Sequence, residues 1–377
     1  MTHASEPDEG DLNDADLAPI SPPRPVFHVE QALLGALLFE PCRLDDVSGI
    51  TADSFSTAAH AALYDAITTL PRPDPDEHAK NTKWLNRVLA TGREQARGLT
   101  ASHLHSLIHL CPRPSHAPAY ARIVEAEHVR RRLRAAAERL IHTVYDVSLP
   151  HPVQTVLAEA DTLAAVVDDI ASRSPPRAAA LPRTAAPPPP AARDHTQAVA
   201  EEQILLATAT AHPCDIEPVR WLLPDDLTLP LHTGLWQCIT ALARRCEPVD
   251  PVTVLWEAQQ RGLLDGGQEP GEVLRLLAEP AGSVEHWAER ALQRSLLATA
   301  EHTGRRIAAY ADDPANTPFQ LVVGARRALD DIIAVRTRWQ HATAPTPPQR
   351  QRTVPPTRSG PPTTTPARTA WPTRTTR

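Results

Sequence analysis

Apolar residues recur along the chain at steps of three and four, and no segment keeps the two-residue alternation of a half-buried strand. This spacing is typical of amphipathic α-helices. It predicts short helices within residues 27–111, the first of them carrying an apolar stripe over 29–38. Beyond a Cys-Pro break it predicts a long helix over 116–145 and a further helix from 153. We expect these last two to form an antiparallel helical hairpin, 116–170.

The second half of the chain shows the same order of elements. The spacing predicts four short helices, then a long helix and a final one, at 199–211, 230–245, 251–261, 271–278, 283–310 and 318–339. The fold class predicted is therefore all-α, with two small helical domains in tandem and no sheet.

The two halves are related in sequence as well as in pattern. Residues 30–70 align without a gap to residues 202–242, an offset of 172, and 13 of the 41 positions are identical. The identical pairs include Glu30 with Glu202 and His60 with His232. Self-similarity over a fixed offset is the mark of an internal duplication. The duplication predicts two structurally equivalent copies.

Composition sets the boundaries between folded and unfolded parts. The 40 prolines concentrate between and beyond the copies, where they oppose helix formation. The predicted division is a disordered acidic segment, a first copy, a Pro/Ala-rich linker, a diverged second copy and a disordered Pro/Thr/Arg-rich tail, at 1–26, 27–170, 171–197, 198–339 and 340–377.

Charge and cysteine content narrow the class of protein further. The net charge is −7, with six acids in residues 1–25 and six arginines but no acid from 340 onward. The five cysteines form no Cys-x-x-Cys pair, and no window holds the roughly eighteen apolar residues of a membrane span. We expect a reduced, cytoplasmic protein without membrane insertion, whose basic tail is a solvated segment rather than a dedicated binding site.

Candidate catalytic chemistry is sparse. His105 and His109 stand one helical turn apart, but no nearby acid or cysteine completes a metal site. His60 and His232 begin apolar helices without a nucleophile beside them, which favours a packing or capping role. The phosphate-binding pattern Gly-x-x-x-x-Gly-Lys is missing, and the only lysines are Lys80 and Lys83. The sequence therefore predicts no enzyme, no cofactor and no metal.

Several motifs of the first copy resemble those of a known family. They are Glu30-Gln31-Ala32-Leu33-Leu34-Gly35-Ala36-Leu37-Leu38, Asp53-Ser54-Phe55-Ser56-Thr57-Ala58-Ala59-His60, and Tyr120-Ala121-Arg122-Ile123-Val124-Glu125. Together they are similar to the N-terminal domain of DnaB-type bacterial replicative helicases. The second copy departs from the pattern: Gly35, Phe55 and Tyr120 become Ala207, Leu227 and Trp287.

The resemblance implies a role as well as a fold. In that family the domain is a collar module that dimerises through its hairpin, helps to assemble the helicase ring and offers a docking surface to primase and helicase loaders. It carries no catalytic site, and the RecA-like motor that follows it in the family is not found in this sequence. The implied function is a non-catalytic interaction protein of DNA replication, with helicase, primase or loader as partner.

Because both copies are in one chain, we expect the two hairpins to pair with each other as an internal pseudo-dimer, with higher oligomers left open. The predicted pairing surface comprises Tyr120, Ile123, Val124, Leu133, Leu140, Ile141, Trp287, Leu296, Ile307 and Tyr310. Helices 28–39 and 199–211 are expected to form outer faces that are free to meet a partner.

Two alternatives remain at this level. One is a DNA-binding regulator that grips phosphate through Arg130, Arg131, Arg132, Arg134, Arg350 and Arg352. Interspersed acids and the lack of interleaved aromatic residues favour a solvated hairpin face with ion pairs between helices instead. The other is an accessory subunit of an ATP-dependent helicase whose motor is on another polypeptide.

Overall fold

The structure is a computed structural model that describes residues 24–173, 181–188 and 196–344. Within these ranges there are thirteen α-helices, joined by short 3-10 turns, and no β-strand. The all-α fold class is confirmed. The helices are α1 Pro25–Phe39, α2 Ala58–Thr69, α3 Pro75–Lys80, α4 Lys83–Gln95, α5 Ala101–Leu110, α6 Ala117–Tyr145, α7 Pro152–Arg173, α8 Thr196–Ala211, α9 Pro230–Arg244, α10 Pro251–Gln260, α11 Pro270–Leu276, α12 Val284–Asp312 and α13 Pro318–Thr343.

Local sequence explains where many helices begin. The side chains of Thr57, Thr100 and Ser283 each accept a hydrogen bond from the backbone N–H three residues later, at 3.1–3.3 Å. Such N-caps satisfy donors that have no partner inside the helix. Seven other helices, among them α7 and α13, begin at a proline, whose missing N–H costs nothing at that position.

The tandem arrangement predicted from the sequence is confirmed. Helices α1 and α8 end 172 positions apart, at residues 39 and 211. The long helices α6 and α12 contain 29 residues each, and both their first residues (117 and 284) and their last residues (145 and 312) are 167 apart. We call α6–α7 the first hairpin and α12–α13 the second hairpin.

Helix α1 lies at the centre of the first copy rather than on its outside. Residues 32–38 are all buried, and α1 packs against α2, α5 and α6. Helix α8 is likewise buried from Glu201 to Glu202 and from Leu205 to Thr210. The expectation that these two helices form free outer faces is therefore wrong. The apolar run 32–38 of α1 has no polar side to turn to solvent, so this helix is enclosed on every side. In α8 the buried polar side chains of Glu202, Thr208 and Thr210 form hydrogen bonds inside the protein instead.

Two hydrophobic cores divide the molecule in an unexpected way. The first is formed by the short helices of the first copy and the beginning of α6, including Phe55, Trp84 and Val124. The second joins the first hairpin to the whole of the second copy, from Val129 through Trp236 to Ala342. The first hairpin thus contributes to the core of the other copy, which makes the contact between hairpins the candidate functional site.

Of the described residues, those up to Ala342 belong to one compact unit, and a second unit begins at Thr343. None of the helices in the described part of the chain combines the length and apolarity that a bilayer crossing needs.

Candidate pairing interface

The two long helices α6 and α12 lie against each other in antiparallel orientation. Near one end of the contact, Arg134 of α6 pairs with Asp312 of α12 at 2.6 Å. Near the other end, the Tyr145 hydroxyl donates a hydrogen bond to Glu301. In each case a residue in the second half of one helix, Arg134 or Glu301, contacts the last residue of the other helix.

These two contacts are equivalent to each other. With the offset of 167 residues, Arg134 corresponds to Glu301 and Tyr145 corresponds to Asp312. One contact therefore joins Arg134 of the first copy to Asp312, the counterpart of Tyr145 in the second copy. The other contact joins Glu301, the counterpart of Arg134, to Tyr145 of the first copy. This reciprocity is the property of a two-fold interface between like subunits. The hairpins are related as the two halves of a dimer, in one chain.

Small residues let the two helices approach closely at the middle of the contact. A Cβ atom built on Gly304 would lie 2.6 Å from Ile141 Cγ1 and 3.1 Å from the Ala137 carbonyl oxygen. Ala137 is the position equivalent to Gly304, so each helix presents a small residue to the other. Interhelical distance depends on the side chains at the crossing. Gly304 therefore sets how closely the copies pair.

Gly304→Ala is expected to destabilise the protein by about 1–3 kcal/mol, the usual cost of overpacking, although alanine favours a helix more than glycine does. Thermal unfolding with circular dichroism measures the effect. The matched control is Gly271→Ala in α11, where a Cβ meets nothing within 4 Å. An equal or higher midpoint for Gly304→Ala than for the control would contradict the close approach.

The second helices of the hairpins also face each other. Arg336 of α13 donates two hydrogen bonds to the Asp161 carboxylate of α7, at 2.5 and 3.0 Å, and Arg326 pairs with Asp168 at 2.9 Å. Both pairs are largely exposed, so each contributes at most about 1 kcal/mol. They align α7 with α13, while the shared hydrophobic core supplies most of the stabilisation.

The predicted pairing residues divide into two groups. Leu133, Leu140, Leu296, Ile307 and Tyr310 are buried in the core shared by the hairpins, and Ile141 lies against Gly304. The remaining residues serve other contacts. Tyr120 and Val124 belong to the core of the first copy, Ile123 is 49% exposed, and the Trp287 indole donates to the Ala281 carbonyl. The first turns of α6 thus support the domain beside them, which helical spacing does not reveal.

Residues of the predicted linker are fastened to the turn between α12 and α13. The centre of this turn is Asn316, which is fully buried. Linker residues contact this turn and the start of α13: Arg183 N–H donates to Asn316 Oδ1 at 2.8 Å, Thr184 Oγ1 donates to Asp313 at 2.6 Å, and Gln320 Nε2 donates to the Leu181 carbonyl at 2.9 Å. From the first hairpin, Arg130 donates to the Pro314 carbonyl at 2.8 Å. The hydrogen bond from Thr184 lowers the pKa of Asp313. One turn therefore joins the linker, the first hairpin and the second hairpin.

Each copy contains a buried glutamate–histidine pair at the repeated positions. Glu30 accepts hydrogen bonds from His60 Nδ1, Ser56 N and Ser56 Oγ, all at 2.8 Å. In the second copy Glu202 accepts from His232 Nδ1 at 2.7 Å and from the backbone and side chain of Thr228 at 2.9 and 2.6 Å. The glutamates and histidines are at most 1% exposed. The identity of these residues in both copies thus reflects one structural cluster, formed twice.

An arginine from the long helix approaches each cluster. Arg131 of α6 lies 3.9 Å from Glu30, and Arg294 of α12 lies 3.8 Å from Glu202. The clusters thereby connect the short helices of each copy to its hairpin. Since the histidines are closed to solvent, the geometry favours the packing role over a catalytic one.

The other histidines of the described ranges do not gather into a metal site. His103 stacks on His60 with ring centroids 6.2 Å apart, and burial, together with His60, lowers the pKa of His103. Among the described residues, no group of three or more potential ligands converges on one point.

The arginines proposed as DNA contacts are mostly engaged in the protein. Arg130 binds carbonyls of the α12–α13 turn, Arg131 donates to the Ser54 carbonyl, and Arg132 pairs with Asp169 at 2.6 Å. Arg134 pairs with both Glu138 and Asp312. Arg350 and Arg352 lie outside the described residues. Within the folded part, these side chains link helices and do not form an unpaired basic surface.

The fold and this interface define a class of protein: a helical pairing module, present twice, whose two hairpins associate with each other. Residues 22–126 and 194–291 each match the family described as DnaB-like helicase N terminal domain. The matches span 203 of the 377 residues, and the chain belongs to this family. The resemblance drawn from the motifs is thus confirmed. Both matches end inside the long helices, so most of each hairpin lies beyond them.

One curated relative is "Replicative DNA helicase DnaB" from Leifsonia xyli subsp. xyli (strain CTCB07), 30% identical over 126 residues. The match covers 33% of this chain and 27% of the length of the relative. No solved structure matches the chain significantly. Family membership implies a role related to the replicative helicase.

Proposed function

We propose that this chain is a non-catalytic interaction protein of cytoplasmic DNA replication, in which two collar modules pair within one polypeptide and bind the replicative helicase, the primase or a helicase loader. The observation that carries the proposal is the reciprocal contact of α6 with α12. An interface of this kind occupies the pairing surface of both copies. Binding of a partner therefore falls to other surfaces.

Two exposed apolar surfaces support this proposal. On the second copy, Val252 and Trp256 lie one turn apart on α10 and are 66% and 65% exposed. On the first copy, Phe39 is 55% exposed at the edge of a groove of about 620 Å³ that Leu85 and Ile108 also line. Aromatic residues such as tryptophan and phenylalanine are enriched at protein interfaces, and exposed apolar patches often mark such interfaces. These surfaces take the place of α1 and α8 as candidate docking sites.

Native mass spectrometry of the full chain, alone and mixed with the host replicative helicase, primase or loader, tests the proposal. We expect a defined complex with one of the three at moderate salt. A chain that stays alone with each of them would overturn the proposal. Binding to DNA that weakens steeply with salt would favour the regulator instead, and ATP hydrolysis appearing only in a complex would favour the accessory subunit.

Trp256→Ala is expected to weaken that complex about ten-fold or more, as for a residue at the centre of an interface. Titration by fluorescence anisotropy measures the affinity. Ile333→Ala, on the exposed side of α13, is the matched control, since Ile333 is an apolar side chain of similar exposure, 55%. If Phe39→Ala weakens binding and Trp256→Ala does not, the docking surface is on the first copy.

A further inference from the structure

The charges on the pairing faces are arranged in opposite order in the two copies. The first copy has Arg134 followed one turn later by Glu138, and these pair at 2.9 Å. At the equivalent positions the second copy has Glu301 followed by Arg305, which pair at 2.6 Å. Each long helix thus keeps an internal ion pair, but the charge that it presents to the other long helix has the opposite sign in the two copies.

Both of these charged residues, Arg134 and Glu301, contact a group of the other long helix that can pair with their charge. Arg134 meets the Asp312 carboxylate, while Glu301 meets the Tyr145 hydroxyl, to which Arg305 also donates at 3.1 Å. Glu301 is only 9% exposed, so solvent screens its charge poorly.

Pairing of two identical hairpins in the same register would place different groups together. Two second hairpins would set Glu301 against Asp312 at both ends of the contact, and adjacent carboxylates repel each other. Two first hairpins would set Arg134 against Tyr145 at both ends, which is electrostatically tolerable but forms no ion pair. In a pair of second hairpins Arg305, which reaches Tyr145 in this structure, would offset part of the repulsion, but both ends of the contact would still hold two carboxylates and one arginine. In the mixed combination only the Arg134 end holds that set, and Glu301 meets a hydroxyl instead of a carboxylate.

We infer that the face formed by Glu301 and Asp312 selects a hairpin of the first kind and rejects a copy of itself. Specificity of this sort comes from repulsion in the wrong complex as much as from attraction in the right one. The partner that fits the face presents a cation at the position of Arg134 and a phenol hydroxyl at that of Tyr145. This inference concerns the pairing itself, so it holds independently of which replication protein binds the outer surfaces.

Exchange of the two charges within one helix tests the inference in the full chain. Arg134→Glu with Glu138→Arg keeps the internal ion pair of α6 but gives the first copy the order of the second, so a carboxylate faces Asp312. We expect amide hydrogen exchange in the central turns of α6 and α12 to become about five-fold faster. Glu301→Arg with Arg305→Glu makes the opposite exchange and sets an arginine against Tyr145, and we expect less than about two-fold change.

The decisive variant adds Asp312→Arg to the exchanged first copy, which restores opposite charges at that contact. Exchange rates are expected to return to within about two-fold of the parent. If Arg134 acts only within α6, Asp312→Arg will not restore protection. Equal effects of the two exchanges, or no restoration, would overturn the inference, and circular dichroism confirms that each variant is folded.

Discussion

Leu140→Asp is expected to separate the paired hairpins. Leu140 is fully buried, and the equivalent Ile307 is 1% exposed. Removing a buried leucine side chain alone costs about 2–5 kcal/mol. A carboxylate in its place also has no hydrogen-bond partner from the protein and must either be desolvated or take up a proton. We expect Ile307→Asp to act in the same way, since both positions belong to the core that the hairpins share.

Small-angle scattering and thermal unfolding together measure this effect. The expected result is a larger radius of gyration and a lower midpoint for both variants. Ile333→Asp introduces the same charge on an exposed side of α13 and is expected to change neither. Variants at Leu140 and Ile307 that keep the compact size of the parent would show that the hairpins do not depend on each other, and the internal pseudo-dimer would be wrong.

Glu202→Gln is expected to destabilise the second copy by about 3 kcal/mol at neutral pH. The substitution keeps the shape of the side chain but removes the charge that three hydrogen-bond donors share. Removing one partner of a buried pair leaves the other uncompensated. Glu30→Gln is expected to have a similar effect on the first copy, because its cluster has the same three contacts.

The effect at Glu202 should depend on pH in a defined direction. Burial raises the pKa of Glu202, but hydrogen bonds from His232 and Thr228 outweigh burial and hold it below its ordinary value of 4.5. A carboxyl with a lowered pKa in the folded state stabilises the protein above its unfolded pKa, and this contribution is lost as the pH falls through the folded value. The parent and Glu202→Gln should therefore converge in stability below about pH 4.5.

Chemical denaturation of both proteins from pH 7 to pH 3 checks this dependence. Glu272→Gln is the matched control, because Glu272 lies exposed on α11, 3.9 Å from Arg275. The control should follow the parent at every pH. A difference between the parent and Glu202→Gln that stays constant to pH 3 would mean that packing, rather than the charge, explains the cluster.

Periodicity was sufficient to predict the long helices, because helices such as α6 and α12 have one apolar side over eight turns. It failed to predict the burial of α1, whose apolar run 32–38 indicates no single buried side, and of α8, where the polar residues Thr208 and Thr210 are buried as well. The polar contacts between the hairpins could not be predicted from the sequence, for a different reason. Arg134 and Asp312 are 178 positions apart, and nothing in the sequence fixes the register in which the two helices pair. The repeated Glu30 and His60 were visible, and their 30-residue spacing at both copies was the available signal that they touch.

The contacts at Asn316 also disfavour the exchange of hairpins between two copies of this chain. With Leu181 held at the α12–α13 turn, eight peptide steps from Arg173 span at most about 28 Å. A short tether keeps the second hairpin at a high effective concentration beside the first. Exchange of hairpins between two chains would have to release the buried Asn316 contacts first. The turn therefore favours a closed single chain over a linked series of chains.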